Sequence, residues 1–262
     1  MNTIPAQVRR ERIRNVVRDR EFVRVADLSA MFGISEVTIR SDLDQLANQG
    51  SLQRVHGGAV VRDPTPRKER TFEEALGAQA EEKAAVGRYA ASLVSPGETV
   101  ILDVGTTTAA VARALVERSD LSDVVVFTSG LTLALELEKA IPRLAVVVTG
   151  GTLRPLQHSL VDPMAGLILE AVHVSTAFIG CNGVHPKEGV TNVNLPEAAV
   201  KRRMVEAAQR CVVVADGSKI GNISVVKIAD LDSVDLVVTG ASAPVEALGE
   251  LRRRGTAVEV AS

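Results

Sequence analysis

Several short stretches bring hydroxyls, glycines and charges together in a way that suits an anionic ligand. The clearest is Leu102-Asp103-Val104-Gly105-Thr106-Thr107-Thr108. Its head ends the apolar run TVILDV and its tail opens the amphipathic run TTAAVARAL, a strand leading into a helix. Such a turn aims the backbone N–H groups and hydroxyls of Gly105, Thr106, Thr107 and Thr108 at one anion, and the positive end of the helix adds to the attraction. The Gly-Lys-Ser/Thr of a Walker A loop is missing, as is the glycine spacing of a dinucleotide-binding turn. Taken alone, the stretch also reads as a plain helix start capped by threonine. Thr128-Ser129-Gly130 follows VVVF, and Thr149-Gly150-Gly151 follows LAVVV, so two more polar turns end two more apolar runs. FIGCNGV brings Gly180, Asn182 and Gly183 to another strand end. VVVADGSK places Asp216 and Lys219 just after a strand, where an ammonium can reach an anion. In NLPEAAVKRRM, Glu197 and Lys201 have the i, i+4 spacing of an exposed helical salt bridge.

These turns need a scaffold. After Ser95-Pro96-Gly97, short apolar runs (TVILDV, VVVF, LAVVV, STAFIG, CVVVAD, LVVTG, TAVEV) alternate with amphipathic stretches (TTAAVARALVE, LTLALELEKA, PEAAVKRRMVEAAQ, PVEALGELRRR). That alternation predicts βα units on a mostly parallel sheet. Strand ends in an open α/β sheet line one crevice. A shared ligand site is therefore expected from Asp103, Gly105–Thr108, Ser129, Gly150, Gly151, Gly183, Glu197 and Lys219. Ahead of the sheet, FEEALGAQAEEKAAVGRYAASLV predicts one helix over 72–94. RDPTPRKER, with two prolines and several charges, reads as linker.

The first 61 residues have a different style. Residues 8–20 predict an amphipathic helix with Val8, Ile13, Val16 and Val17 inward, and Val25–Phe32 a second helix stopped by Gly33. Ser35 is placed to cap a third helix by accepting an N–H near Thr38, with Val37, Leu43 and Leu46 inward, Ile39 at the packing edge and Gly50 as its end. A helix, tight turn and second helix form the unit whose second helix enters the DNA major groove. The groove-facing set is then Ser35, Glu36, Thr38, Arg40 and Ser41. Arg40 can bind guanine or phosphate, while Thr38 and Ser41 can donate to either. SLQRVHGGAVV predicts a hairpin wing around Gly57-Gly58, with Arg54 and His56 near its tip flanking the DNA backbone or reaching the minor groove.

Composition fits this division. The 262 residues are 46% hydrophobic and 24% charged, with a net charge of −2. Residues 1–70 hold 13 Arg/Lys against 9 Asp/Glu, and the remainder 17 against 23, so a basic end of +4 precedes an acidic body of −6. A basic end suits a polyanionic partner. Cys181 and Cys211 lack the spacing of a zinc or redox motif and are expected as buried free thiols; no metal and no cofactor are expected. No apolar run approaches the roughly 20 residues of a membrane span and no signal peptide is read, which points to the cytoplasm.

The segment VADLSAMFGISEVTIRSDLDQLANQGSLQRVHGGAV resembles the winged helix of the DeoR family of bacterial regulators, through Ser35, Thr38, Ile39, Arg40, Asp42, Leu43, Leu46, Gly50 and Arg54–Ala59. The family usually has two consecutive arginines where this chain has Arg40-Ser41. LDVGTTT, TGGTLR, FIGCNGV, GVTNVNLPEAAVKRRM and VADGSK resemble the same family's sensor domain. The resemblance implies a sheet like that of ribose-5-phosphate isomerase and glucosamine-6-phosphate deaminase, binding a phosphorylated sugar. By position, Gly105, Thr106 and Thr107 would hold the phosphate, and Asp103, Glu197 and Lys219 would face sugar hydroxyls. Two positions depart from the family: Ser129 replaces a common asparagine, and Asp162 a common glycine. The expected architecture is a winged helix-turn-helix over 1–61, a linker over 62–74 and an effector-binding α/β domain over 75–262. The expected protein is a repressor of carbohydrate-metabolism genes with a double-stranded DNA operator and a sugar-phosphate effector, assembled as a homo-oligomer (dimer or tetramer). The rival is a sugar-phosphate isomerase or deaminase using Asp103, Glu197 and Asp216 for acid–base work. No histidine stands in a catalytic setting, so no enzyme is expected.

Overall fold

The computed structural model describes residues 6–20, 22–48, 52–55, 57–61 and 69–262. Contacts divide the chain into two compact units, Met1–Lys68 and Glu69–Ser262.

In the first unit, helix α1 (Ala6–Arg20) leads through strand β1 (Phe22–Arg24) to α2 (Val25–Phe32), α3 (Glu36–Asn48) and the hairpin β2 (Leu52–Val55) and β3 (Gly58–Val61). Strand β3 lies antiparallel between β1 and β2, so the expected hairpin is completed into a small sheet by a strand too short to read from sequence. Gly33 ends α2 in the left-handed region at φ 63, and Ser35 Oγ accepts the Thr38 N–H at 3.3 Å, as expected of a cap. The core is Ile13, Val17, Val23, Val25, Leu28, Ile39, Leu43, Leu46, Leu52 and Ala59. Two inward assignments are corrected. Val37 is 74% exposed and Ile39 fully buried, and Val8 is exposed as well. The buried stripe of α3 runs Ile39, Leu43, Leu46, at i, i+4, i+7. Val37 stands two residues from Ile39, about 200° around the helix, and so on the opposite side. Gly50 lies outside the described residues.

The second unit opens with α4 (Phe72–Leu76) and α5 (Ala80–Ser92), then β4 (Thr99–Leu102), α6 (Thr106–Glu117), β5 (Val124–Thr128), α7 (Leu131–Leu137) and β6 (Leu144–Val148). The hairpin β7 (Thr152–Arg154) and β8 (Ser159–Val161) leads into α8 (Met164–Glu170) and β9 (Val174–Gly180). There follow β10 (Gly183–His185), β11 (Gly189–Asn192), α9 (Leu195–Glu206), β12 (Ala208–Ala215), β13 (Val226–Ala229), β14 (Leu236–Thr239), α10 (Val245–Arg253) and β15 (Val258–Val260). The helix expected over 72–94 is two helices. A capping box closes α4 at Thr71 and Glu74, and Gln79 breaks the run with φ 52 before α5. Of the expected linker, residues 62–68 lie outside the described residues, and residues 69–74 belong to the second unit, with Phe72 buried in its core.

Among the described residues, seven strands form one parallel sheet in the order β15-β14-β12-β9-β4-β5-β6. Alternate side chains pack on opposite faces. Val100 and Leu102 join a core with α5, α6 and α7, while Ile101 joins one with α8, α9 and α10. Burial on both faces explains the near-continuous apolar runs of these strands. From β4 the chain moves through β5 to β6 on one side, and the later strands β9, β12, β14 and β15 extend on the other. The order therefore reverses between β4 and β9, and a crevice opens outside the carboxyl ends of strands at such a switch point. No described helix is long and apolar enough to cross a membrane.

Candidate functional site

The first unit presents α3 at its surface. Ser35, Glu36, Arg40 and Ser41 are exposed and Thr38 is half-buried. The Ser35 and Thr38 hydroxyls lie 3.0 Å apart. Arg40 Nη2 donates to Glu36 Oε2 at 2.7 Å, both side chains being about half-exposed. An ion pair in that setting contributes at most about 1 kcal/mol and exchanges readily for another anion. Arg54, on β2, donates to Asp44 Oδ1 at 2.8 Å and to the Arg40 carbonyl at 3.0 Å, so it lies against α3. Gly57 is exposed at the hairpin tip with φ 79, and His56 lies outside the described residues. Arg9, which sequence reasoning passed over, grips Asp42 through Nε at 2.6 Å and Nη2 at 3.2 Å, a buried fork that ties α1 to α3.

In the second unit the strand ends carry Thr239, Asp216, Gly180, Asp103, Thr128-Ser129 and Thr149-Gly150 along one edge of the sheet. At the switch point Asp103 is buried, and its Oδ2 accepts from the Gly180 N–H at 2.9 Å and from Lys201 Nζ. Lys201 also donates to the Gly180 carbonyl at 3.1 Å. Burial pushes the Asp103 carboxyl upward, against the pull of the Lys201 ammonium. The expected exposed Glu197–Lys201 bridge is thus replaced by two buried groups with other partners. Glu197 Oε1 accepts from Arg154 Nη1 at 2.7 Å and Ser159 Oγ at 2.6 Å. Helical spacing made the pair possible, but elements distant in sequence offered each charge a drier and closer partner.

Gly105 caps α6 with φ 132, and Thr106 and Thr107 are nearly buried at its first turn. Thr108, expected among the anion ligands, is fully buried, and its hydroxyl donates to the Gly105 carbonyl at 2.9 Å. Gly151 and Gly183 serve packing. A Cβ on Gly151 would lie 2.3 Å from the Val161 carbonyl oxygen, and one on Gly183 2.4 Å from that of Asn222. Gly150 takes φ 74 in the same turn as Gly151. Ser129 is buried, and its carbonyl accepts the Leu160 N–H at 2.7 Å. Asp162, the other departure, accepts from Arg203 Nη1 at 2.6 Å and from the Gly166 N–H at 3.1 Å, anchoring α8 to α9.

Further charges gather near Lys219. Lys83 of α5 is buried and donates to the Ala75 carbonyl at 2.7 Å. Burial holds its ammonium below the usual value; Asp216 opposes that, while Lys219 and Arg70 add to it. Neither Lys83 nor Arg154 was singled out from sequence. The only signal for Lys83 was a lysine beside small buried residues, Ala85 and Val86. Both cysteines are free. Cys211 is buried as expected; part of Cys181 reaches solvent, although its thiol is pushed up to about 12 by burial and feels Lys201, Lys219, Asp216 and Asp103. Those four charges therefore share one neighbourhood. Among the described residues no group of His, Cys, Asp and Glu could hold a metal ion.

Comparison with known proteins agrees with both units. The family described as DeoR-like helix-turn-helix domain matches residues 9–65, and the one described as DeoR C terminal sensor domain matches residues 78–241. The chain is 37% identical over 251 residues to a putative aga operon transcriptional repressor of Escherichia coli O157:H7, covering 95% of this chain and 92% of that one. It is 35% identical over 255 residues to the HTH-type transcriptional regulator GlpR of Haloferax volcanii, covering 97% of each. Among solved structures, ribose 5-phosphate isomerase A of Methanocaldococcus jannaschii matches 54% of this chain and 55% of its own, with 19% identity and a TM-score of 0.41.

Proposed function

The chain belongs to the DeoR family of transcriptional regulators, and from that premise we propose that it represses carbohydrate-metabolism genes under the control of a phosphorylated sugar held at the β4–β9 switch point. Its relatives act as regulators, and so does this chain; it is no enzyme. The recognition surface is Ser35, Glu36, Arg40 and Ser41, all exposed, with the half-buried Thr38 among them, at the start of α3, and the β2–β3 hairpin. The observation that carries the effector reading is the first turn of α6. Gly105, Thr106 and Thr107 stand there with N–H groups facing outward from the helix start, and the buried charges Asp103, Lys201 and Asp216 and the half-buried Lys219 gather at the same strand ends. Helix N-termini attract phosphate, and Lys219 adds positive charge. Glu197 and Asp103 supply acceptors for sugar hydroxyls.

Thermal shift tests this. Glycerol 3-phosphate, fructose 6-phosphate, glucosamine 6-phosphate and ribose 5-phosphate are compared with inorganic phosphate. A ligand at 100 times its Kd adds about 2.7 kcal/mol of apparent stability. Glycerol 3-phosphate is included because a relative 28% identical over 233 residues is named the glycerol-3-phosphate regulon repressor of Escherichia coli K12. The double variant Thr106→Val, Thr107→Val should lose the shift while keeping operator binding. Retention of the full shift in that variant would refute the cradle. A homo-oligomer, dimer or tetramer, is the assembly proposed, because two-fold readers place half-sites about 34–36 Å apart. Light scattering on the purified protein tests it, and a monomer bound to its operator would overturn it.

A further inference from the structure

The hairpin β7–β8 and its connecting turn touch the crevice on one side and the beginning of the second unit on the other. Toward the crevice, Arg154 Nη1 and Ser159 Oγ both donate to Glu197 Oε1, at 2.7 and 2.6 Å. Toward the chain start, Arg154 Nη2 donates to Glu69 Oε2. Gln157 Nε2 donates to the Arg70 carbonyl at 2.7 Å. The His158 ring lies 5.5 Å, centroid to centroid, from Phe72, and its Nε2 is 3.2 Å from Glu73 Oε1. Residues 154–158 thus grip Glu69, Arg70, Phe72 and Glu73. That stretch is covalently continuous with residue 68 and so with the DNA-binding unit.

Accepting the effector site described above, we propose that Arg154 couples that site to the DNA-binding unit, by dividing one guanidinium between Glu197 at the crevice and Glu69 at the start of the second unit. The planar fork of arginine can serve two carboxylates at once, which a lysine ammonium does poorly. All three side chains are largely buried: 15% exposed for Arg154 and Glu69, 6% for Glu197. A phosphate oxygen that accepts from Arg154, or a sugar hydroxyl that donates to Glu197, changes the guanidinium's hold on Glu69. A carboxylate left buried without its cation is unfavourable, so Glu69 then turns outward or takes a proton. Burial already raises the Glu69 carboxyl, with Arg154 as the main opposing influence. Loss of that contact loosens Glu69–Glu73, and the chain entering the DNA-binding unit loses its anchor. Ligand and anchor compete for one side chain, which gives the two sites unequal preference for the two states.

The test uses the full-length chain and the variants Glu69→Gln, Arg154→Ala and Arg154→Lys. Hydrogen exchange is read first, without any ligand. Amides of residues 70–76 should exchange at least several-fold faster in all three variants, with α9 and β12 unchanged; wild-type exchange there overturns the coupling. Second, operator affinity is measured with and without fructose 6-phosphate and glycerol 3-phosphate, on a duplex the protein has itself selected from random DNA. In Glu69→Gln the Kd for the probe without DNA should fall below the wild-type value, because its competitor for Arg154 is gone, while the ratio of operator affinities falls toward one. By linkage, the probe's affinity should then be the same with and without operator. A lower melting temperature with a wild-type ratio would mean that Glu69 only supports the fold, and would overturn the proposal. Should the wild type bind neither probe, the choice of effector fails instead, and the exchange measurement alone decides the coupling.

Discussion

The surface of α3 and the crevice at β4–β9 solve opposite problems. On the outer face of α3, Glu36, Arg40 and Ser41 are exposed, Arg40 pairs with Glu36 four residues away, and the apolar stripe of Ile39, Leu43 and Leu46 lies apart from them, with Asp42 alone turned inward to Arg9. In the crevice, Asp103, Lys201 and Glu197 are buried, and their partners lie far along the chain. The first arrangement lets recognition change with little effect on folding. The second builds the proposed ligand site into the fold, because each charge depends on another to stay buried.

Four substitutions test that contrast. The largest effect is expected for Asp103→Ala, which leaves the Lys201 ammonium buried without its carboxylate. A loss of about 3–5 kcal/mol is expected in urea unfolding; a loss below about 1 kcal/mol would show that the crevice charges are not built into the fold. Next, Ile39→Ala should cost about 2–5 kcal/mol of first-unit stability, and Val37→Ala within about 0.5 kcal/mol. Alkylation separates the units, since both cysteines lie in the second. Burial pushes the Cys211 thiol up to about 12, so the thiolate, the reactive form, is scarce at pH 8 while the second unit is folded. Ile39→Ala should leave Cys211 unlabelled where circular dichroism shows the first unit melting. Labelling in step with that melting would mean that the units do not unfold separately. Arg40→Ala should leave unfolding unchanged and cost about 1–3 kcal/mol of specific operator binding. A titration that finds wild-type operator affinity would remove Arg40 from the reading surface.

The frame of the molecule was legible because it rests on local pattern. The apolar runs from TVILDV to TAVEV are the strands of the large sheet, and Gly33 with Ser35 marks the turn between α2 and α3. Short strands outside the large sheet were not legible. β1, β7, β8 and β10 are three residues each, and so few residues hold no period. Side-chain partners were the least legible. Glu197 and Lys201 have ideal spacing for each other, yet Arg154 and Asp103 take them, 43 and 98 residues away in sequence. Thr108 resembles its neighbours Thr106 and Thr107, and only the turn of α6 shows that its hydroxyl faces its own backbone. Val37 and Ile39 are chemically similar, and the phase of α3, set by packing on α1 and α2, decides between them.

The pairing of Arg40 with Glu36, and of Arg54 with Asp44, has a thermodynamic consequence on DNA. A cation that arrives free displaces condensed counterions from the duplex, and each such contact steepens the fall of affinity with salt. Arginines already bound to a carboxylate exchange one anion for another. The salt dependence of operator binding then counts fewer ions than the arginines near the groove. On the proposed reading surface, Glu36 and Asp44 would be built-in competitors, lowering attraction to arbitrary DNA more than to a sequence where Arg40 gained a base.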